Sequence, residues 1–335
     1  MNHQLPFIDS SFGSNTRFYQ LGRHALADAF KAIGMHECDE ILIPSFICRE
    51  VLAPIYQSKL VPVFYEVNDK LEAVDFPENH QVKAVIAVNY FGFPQDLSKF
   101  HQLSSQTGAI LIEDNAHGYL SANTQNQFLG TRGDVGIFSP RKTLPLPHGA
   151  ALLINNRELL GSLPQQRILD NTPNSLAFLI RRLSSKLQAS YDIKLSWWLK
   201  LISRFFRKLR TGHAITPPDP SDEYEMPKTR GPKVDILPLL NNTDASKEIT
   251  RRRDLYIRIL VELKNAGITP IFSDLPENCV PYGIPFISDP QTAKLAVKIA
   301  HKHGLDCFKW PDLPKAIEHS IPAFYKQLWV INFLC

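Results

Sequence analysis

The sequence predicts an α/β protein, with a mostly parallel central sheet covered by helices on both faces and a smaller C-terminal α+β domain. Three observations predict it. Continuous apolar runs alternate with segments of helical spacing through the first half of the chain, as a sheet buried on both faces requires. Polar residues stand directly after several of those runs, at the carboxyl edge where open α/β sheets bind ligands. At 335 residues the chain also exceeds the usual size of one domain.

Each element has its own signal. Residues 23–33 carry Leu26, Phe30 and Ile33 at helical steps and stop at Gly34. Residues 40–44 form a short apolar strand, 51–56 a helix interrupted by Pro54, and 61–67 another strand. A strand over 83–88 is followed by a helix over 96–107 that Gly108 closes. The run 109–112 leads straight into Glu113-Asp114, and strands over 136–138 and 150–154 complete the series. Residues 176–210 contain neither Gly nor Pro and repeat apolar residues at steps of three and four, the pattern of one or two helices. A Pro-rich linker over 217–233 follows, then a helix over 246–266 stopped by Gly267. Strands over 268–272, 282–287 and 306–310, with a helix over 291–303, make a compact α+β unit. The chain closes on an apolar, strand-like run over 329–335. The division expected is 1–244 for the large domain, with the insert 176–210 and the linker, and 245–335 for the small one.

Composition narrows the class. The chain is 44% hydrophobic and 21% charged, as in ordinary soluble proteins. The first ten residues lack the basic head and apolar run of a leader, and no uninterrupted apolar stretch is long enough to span a bilayer. Five cysteines, scattered and never spaced as CxxC, argue against a disulfide framework or a zinc site and for a reducing cytoplasm. The net charge of +4 is unevenly spread: residues 176–210 hold nine Lys/Arg against one Asp, so the remainder is acidic. That segment reads either as an insert packing on the body or a dimer partner, or as a surface for anionic membranes, with Trp197, Trp198, Phe205 and Phe206 beside the basic residues. No recognised motif accompanies it that would point to nucleic acid.

The chemistry concentrates in a few stretches. In 130–150, Gly133-Asp134, the strand 136–138, Ser139 and Lys142 lie in close succession before the next strand. A lysine that forms an imine needs a partly desolvated, positively biased pocket, and Arg141 with the apolar turn after Lys142 suits that need. In 111–118 a carboxylate ends a buried strand, which is costly without a partner. In 19–26 a glycine opens a helix, a natural place for phosphate.

These stretches resemble the DegT/DnrJ/EryC1/StrS sugar aminotransferases, a family within the fold-type-I pyridoxal-phosphate enzymes of the aspartate aminotransferase superfamily. The resemblance covers residues 18–156 and adds the Trp310-Pro-Asp-Leu-Pro stretch further on. It implies that Lys142 carries pyridoxal 5'-phosphate as a Schiff base, that Asp114 pairs with the ring nitrogen, and that His117 bonds the phenolic oxygen. Gly22, Arg23 and Ser139 are then expected to anchor the phosphate, with His24 and Arg141 also among the expected cofactor-binding residues. The family usually has hydroxyl donors where Leu21, Gly22 and Arg23 stand here. Its stacking aromatic position is filled by Cys48, so the expected contact to the cofactor's face is the Cys48 thiol, or else a ring from Tyr90 or Phe91. Asn89 replaces a histidine, the basic segment is longer than in the family, and the sequence ends earlier. The resemblance further implies transamination from a donor such as glutamate to a keto group on a nucleotide-linked sugar, as in surface polysaccharide synthesis, by a homodimer. Sugar dehydration is an alternative, although relatives that dehydrate replace the lysine with histidine. So is a non-catalytic descendant that binds a membrane or a partner.

Overall fold

The computed structural model describes residues 15–78, 81–144, 146–166, 170, 178–180, 201–202, 204–206, 208–210, 212, 219–228, 231–234, 236–241, 244–318 and 321–334. Two sheets organise them. The larger contains β1 (Thr16–Tyr19), β2 (Glu40–Pro44), β3 (Val61–Tyr65), β4 (Val82–Val88), β5 (Ile110–Asn115), β6 (Val135–Phe138) and β7 (Ala150–Ile154). Their spatial order is β1-β7-β6-β5-β4-β2-β3. From β3 to β6 every pairing is parallel, whereas β7 runs antiparallel to both β6 and β1. The sheet is thus mostly parallel, with an antiparallel flank whose edge strand β1 has no counterpart among the strands expected.

Burial explains the continuous apolar runs. All five residues of β7 and all four of β6 are buried, and in β4 only Lys83 is exposed. Sealing each large aliphatic side chain in such a layer stabilises by roughly 1.5–3 kcal/mol. Helix α1 (Gly22–Ile33) lays Leu26, Ala29, Phe30 and Ile33 against this core and ends at Gly34, whose φ of 73° gives the left-handed cap that residues with a Cβ adopt at a cost. A short helix α2 (Leu52–Gln57), preceded by a 3-10 turn over Arg49–Val51, and helix α3 (Ser98–Thr107) complete the crossovers.

The second sheet is antiparallel, with β10 (Leu328–Asn332) between β8 (Gly283–Ile287) and β9 (Asp306–Lys309). Residues 268–272 do not form the expected strand. Only Pro270 makes an isolated bridge, to Phe286, because a proline lacks the N–H a ladder needs. Helix α4 (Ile236–Asn241) precedes the long helix α5 (Ala245–Asn265), which Asp244 caps by accepting from the Lys247 N–H. Helix α6 (Pro290–Lys302) is capped in the same way by Asp289.

Of the basic segment, residues 178–180, 201–202, 204–206 and 208–210 are helical. Arg204 makes a bidentate pair with Asp306 of β9, at 2.7 and 2.9 Å. Ile202, Phe205, Phe206 and Leu209, spaced along one helical face, are exposed. Trp197 and Trp198 lie outside the described residues.

Candidate active site

The carboxyl ends of β2, β4, β5 and β6 open into one cavity of about 170 Å³. Parallel strands deliver their last residues to the same edge, so side chains far apart in sequence converge there. Cys48 comes from the turn after β2, Asn89 and Tyr90 from the turn after β4, and Asp114, Ala116 and His117 from the end of β5. Ser139, Arg141 and Lys142 follow β6, and Leu21, Gly22 and Arg23 open α1 on the neighbouring side. Lys142 and Asp114 therefore face one cavity, with His117 beside the lysine: its Nε2 lies 3.3 Å from Lys142 Nζ.

Alternation along β5 separates its two carboxylates. Glu113 and Asp114 are neighbours, so they point to opposite faces of the sheet. Glu113 is fully buried and bonded to the Arg132 side chain at 2.5 Å, the Arg132 N–H at 2.8 Å and Asn89 Nδ2 at 2.8 Å. Asn89 Oδ1 in turn accepts from Arg132 and from the Gln95 N–H. Asn89 thus serves as a structural link beneath the cavity. Asp114 accepts the Ala116 N–H at 2.9 Å through Oδ1, and its other oxygen has no hydrogen-bond partner among the described residues. Burial pushes its carboxyl above the usual value, while the Ala116 N–H and the Lys142 charge act in the opposite direction.

The remaining groups set the field. Burial, and then the Lys142 charge, hold His117 well below the ordinary imidazole value, so the ring is neutral. Burial pushes the Cys48 thiol up to about 12, leaving it an uncharged lining group. The Nε of Arg141 is buried and has no hydrogen-bond partner among the described residues. Burial, its largest influence, lowers its pKa, and the like charge of Arg23 acts the same way. Arg23 is itself tied to Asp222 at 3.1 Å. Helix α1 begins with no side-chain cap and no acidic residue in its first turn, and a Cβ built on Gly22 would meet nothing within 4 Å.

Most residues expected at the site are brought together here, with one correction. His24 does not line the cavity; one turn into α1 it is buried, with Nε2 3.2 Å from the Pro227 carbonyl oxygen. The helical repeat turns it away from Gly22 and Arg23. Of the two rings considered beside Cys48, Tyr90 lines the cavity but commits its hydroxyl to the Phe46 carbonyl oxygen, and Phe91 packs on His117 instead. Asp134, in the Gly-Asp pair, secures strands by accepting from the Leu111 N–H and from Asn156.

Two residues went unassigned from sequence. Trp310 enters the cavity from the far end of the chain. Arg252, 1% exposed, donates to the carbonyl oxygens of Thr143 (2.9 Å), Lys142 (3.4 Å) and Pro281 (3.1 Å) and pairs with Glu248. Its signal was present in the sequence: Arg252 falls in phase with the buried Tyr256, Ile259 and Leu263 and lies one turn after Glu248.

Residues 20–167 match the model of the DegT/DnrJ/EryC1/StrS aminotransferase family. The chain is 32% identical over 142 residues to GDP-perosamine synthase of Vibrio cholerae, covering 40% of this chain and 38% of that protein. It is 30% identical over 130 residues to a UDP-N-acetyl-3-dehydro-alpha-D-glucosamine 3-aminotransferase of Acidithiobacillus ferrooxidans, covering 37% and 35%. The chain thus aligns with little more than a third of the length of these curated relatives. The fold likeness extends further. A DegT DnrJ EryC1 StrS aminotransferase from Brucella abortus superposes with a TM-score of 0.61 at 16% identity, over 95% of this chain and 80% of that one. The fold is therefore that of the family, fold type I, and the cavity lies within the matched segment except for Trp310.

Proposed function

We propose that this protein is a pyridoxal-phosphate-dependent aminotransferase that moves an amino group from an amino acid such as glutamate to the keto group of a nucleotide-linked sugar. The observation that carries the reading is that the Lys142 amine and the Asp114 carboxyl line one cavity. The family and the sugar-modifying relatives support the reaction class.

The residues present fit the cofactor. Among the described residues, the buried Nε of Arg141 has no partner, Asp114 has an oxygen without one, and the start of α1 is uncapped beside open space at Gly22. An anion suits the first and third of these, and a ring N–H suits the second. When bound, pyridoxal phosphate supplies an aldehyde for condensation with amines and a ring that takes up the electron pair left at a substrate carbon. Lys142 Nζ is the amine to hold it. Gly22, Arg23, Ser139 and Arg141 would take its phosphate, and Asp114 would keep a proton on its ring nitrogen. Neutral His117 has one N–H to offer an oxygen beside the lysine. Lys142, once its amine is free, accepts the proton from the donor carbon and returns it, acting as base and then acid.

Absorbance tests this reading. Purified protein given pyridoxal phosphate should develop a visible band near about 420 nm, absent from Lys142→Ala, and glutamate should bleach it. A protein that binds the cofactor without the band, or whose band ignores every amino acid, is not this enzyme.

A homodimer, and contact with an anionic membrane surface, are part of the proposal. Among the described residues no helix is long and apolar enough to cross a membrane. The exposed stripe of Ile202, Phe205, Phe206 and Leu209, with Arg204 held on Asp306, supports surface adsorption through a cationic segment. Two copies meeting there would bring like charges together. Co-sedimentation with vesicles containing phosphatidylserine should occur at low salt and weaken with Phe205→Ser/Phe206→Ser.

A further inference from the structure

We infer that Arg252 is the positioning residue for Lys142, holding both the turn from which that side chain starts and the strand that supports the ring beside its amine. The inference rests on the reading of Lys142 as the reacting amine. It adds that the lysine is placed by a residue of α5, 110 positions further along the chain.

The lysine turn does not satisfy itself. Its N–H groups are served locally: Lys142 donates to the Ser139 oxygen at 2.9 Å, and Thr143 and Leu144 both donate to the Pro140 oxygen, at 2.9 and 2.7 Å. Its carbonyl groups are not. Among the described residues no main-chain N–H bonds to the oxygen of Lys142 or of Thr143, and Thr143 is buried. Buried carbonyl groups without a donor are costly. Nη2 of Arg252 serves both, at 2.9 Å to Thr143 and 3.4 Å to Lys142.

The same guanidinium supports the other end of the lysine side chain. Its Nη1 donates to the carbonyl oxygens of Pro281 and Tyr282, at 3.1 and 3.4 Å, and its Nε donates to Glu248 at 2.6 Å. The Tyr282 ring lies flat on His117, with centroids 4.3 Å and planes 9° apart. His117 Nε2 in turn lies 3.3 Å from Lys142 Nζ. The contacts therefore close a circuit, from the Lys142 carbonyl through Arg252, Tyr282 and His117 back to the Lys142 amine. A planar guanidinium bonded through Nε and both Nη atoms is fixed in orientation, as an ammonium on a flexible stem would not be. A shift of the turn is carried to the amine, and a misplacement of about 1 Å at a reacting group costs on the order of a hundredfold in rate. Arg253, the next residue of α5, supplies the contrast. It donates to the Pro276 and Cys279 oxygens, each at 2.7 Å, and neither belongs to the lysine turn or to residues 281–282.

Three measurements compare Arg252→Met with Arg253→Met. In cofactor-free protein, amide hydrogen exchange read by mass spectrometry should be about tenfold faster at residues 142–144 in Arg252→Met, the worth of one net hydrogen bond, and unchanged there in Arg253→Met. The rate at which pyridoxal phosphate develops its visible band should fall about a hundredfold in Arg252→Met and stay unchanged in Arg253→Met. Affinity for deoxypyridoxine phosphate, which lacks the aldehyde and so needs no lysine, should be unchanged in both. If Arg252→Met does not fold, Glu248→Gln, which removes the charge anchoring the guanidinium, is read the same way and should slow the band about threefold. A band that forms at the unaltered rate in the variant read, or a slower band matched by an equal loss of deoxypyridoxine phosphate affinity or by Arg253→Met, overturns the inference. So does unaltered exchange at residues 142–144. If the unaltered protein develops no band, the proposed reaction fails, and the exchange comparison still decides whether Arg252 holds the turn.

Discussion

The guanidinium of Arg252 reaches past Lys142 and donates to the carbonyl oxygen of Thr143, the next residue, at 2.9 Å. It also holds the Pro281 carbonyl, so a single side chain from α5 ties the lysine turn to the strand leading into the second sheet. Four carbonyl oxygens, those of Lys142, Thr143, Pro281 and Tyr282, together with Glu248 satisfy a charge that burial alone would make costly.

Removing that charge should be expensive. Arg252→Met leaves the Thr143 and Pro281 oxygens without their donor and is expected to cost about 3 kcal/mol in urea denaturation. Arg252→Lys should cost nearly as much, since an ammonium cannot fork between the separate carbonyls. Equal stability of all three proteins would show that the clamp contributes nothing.

Asp114 should trade stability for function. Its carboxyl is raised by burial, so the penalty for its charge is absent at acid pH and develops as pH climbs through the ordinary carboxylate range. Asp114→Asn is therefore expected to raise the melting temperature of cofactor-free protein at neutral pH, with the gain vanishing in acid. Transamination should fall about a hundredfold. A lower melting temperature at neutral pH would contradict the assignment of its free oxygen to the cavity.

Beneath the site, Arg132 neutralises Glu113. Arg132→Met strands a buried carboxylate and should destabilise by about 3–5 kcal/mol. The double variant Glu113→Gln/Arg132→Met should recover part of that loss, as a double-mutant cycle would record.

Acid should loosen the clamp through Glu248. Burial pushes this carboxyl up, but the Arg252 charge, and then bonds and charge from Arg251 with a further bond from Arg252, outweigh it and leave the carboxyl below its usual range. A depressed acid contributes stability above the unfolded-state value and loses it as pH falls through the folded one. The unfolding free energy of Glu248→Gln should therefore depend less steeply on pH at acid pH than that of the unaltered protein.

Much of this molecule was legible before its structure. The runs over β2, β4, β5 and β7 read as strands because both faces are buried, so hydrophobicity is continuous and bounded by turns. Spacing also found α1, α3, α5 and α6 to within two residues. The expected strand over 268–272 failed because β-rich composition says nothing about whether a partner edge is free, and Pro270 blunts the ladder. β1 escaped notice because an antiparallel edge strand is short and carries an arginine, Arg17, in its middle.

The order of Gly133, Asp134, Ser139 and Lys142, and the pair Glu113-Asp114, were determined by sequence alone, since local motif and strand ends are properties of contiguous residues. Which carboxylate faces the cavity, that His24 turns away, that His117 comes beside Lys142, and that Trp310 and Arg252 arrive from far along the chain were decided by tertiary structure. Those outcomes depend on pleat direction, helix rotation and long-range donors, and a hydrogen bond between residues far apart in the chain leaves no mark in either one's neighbours.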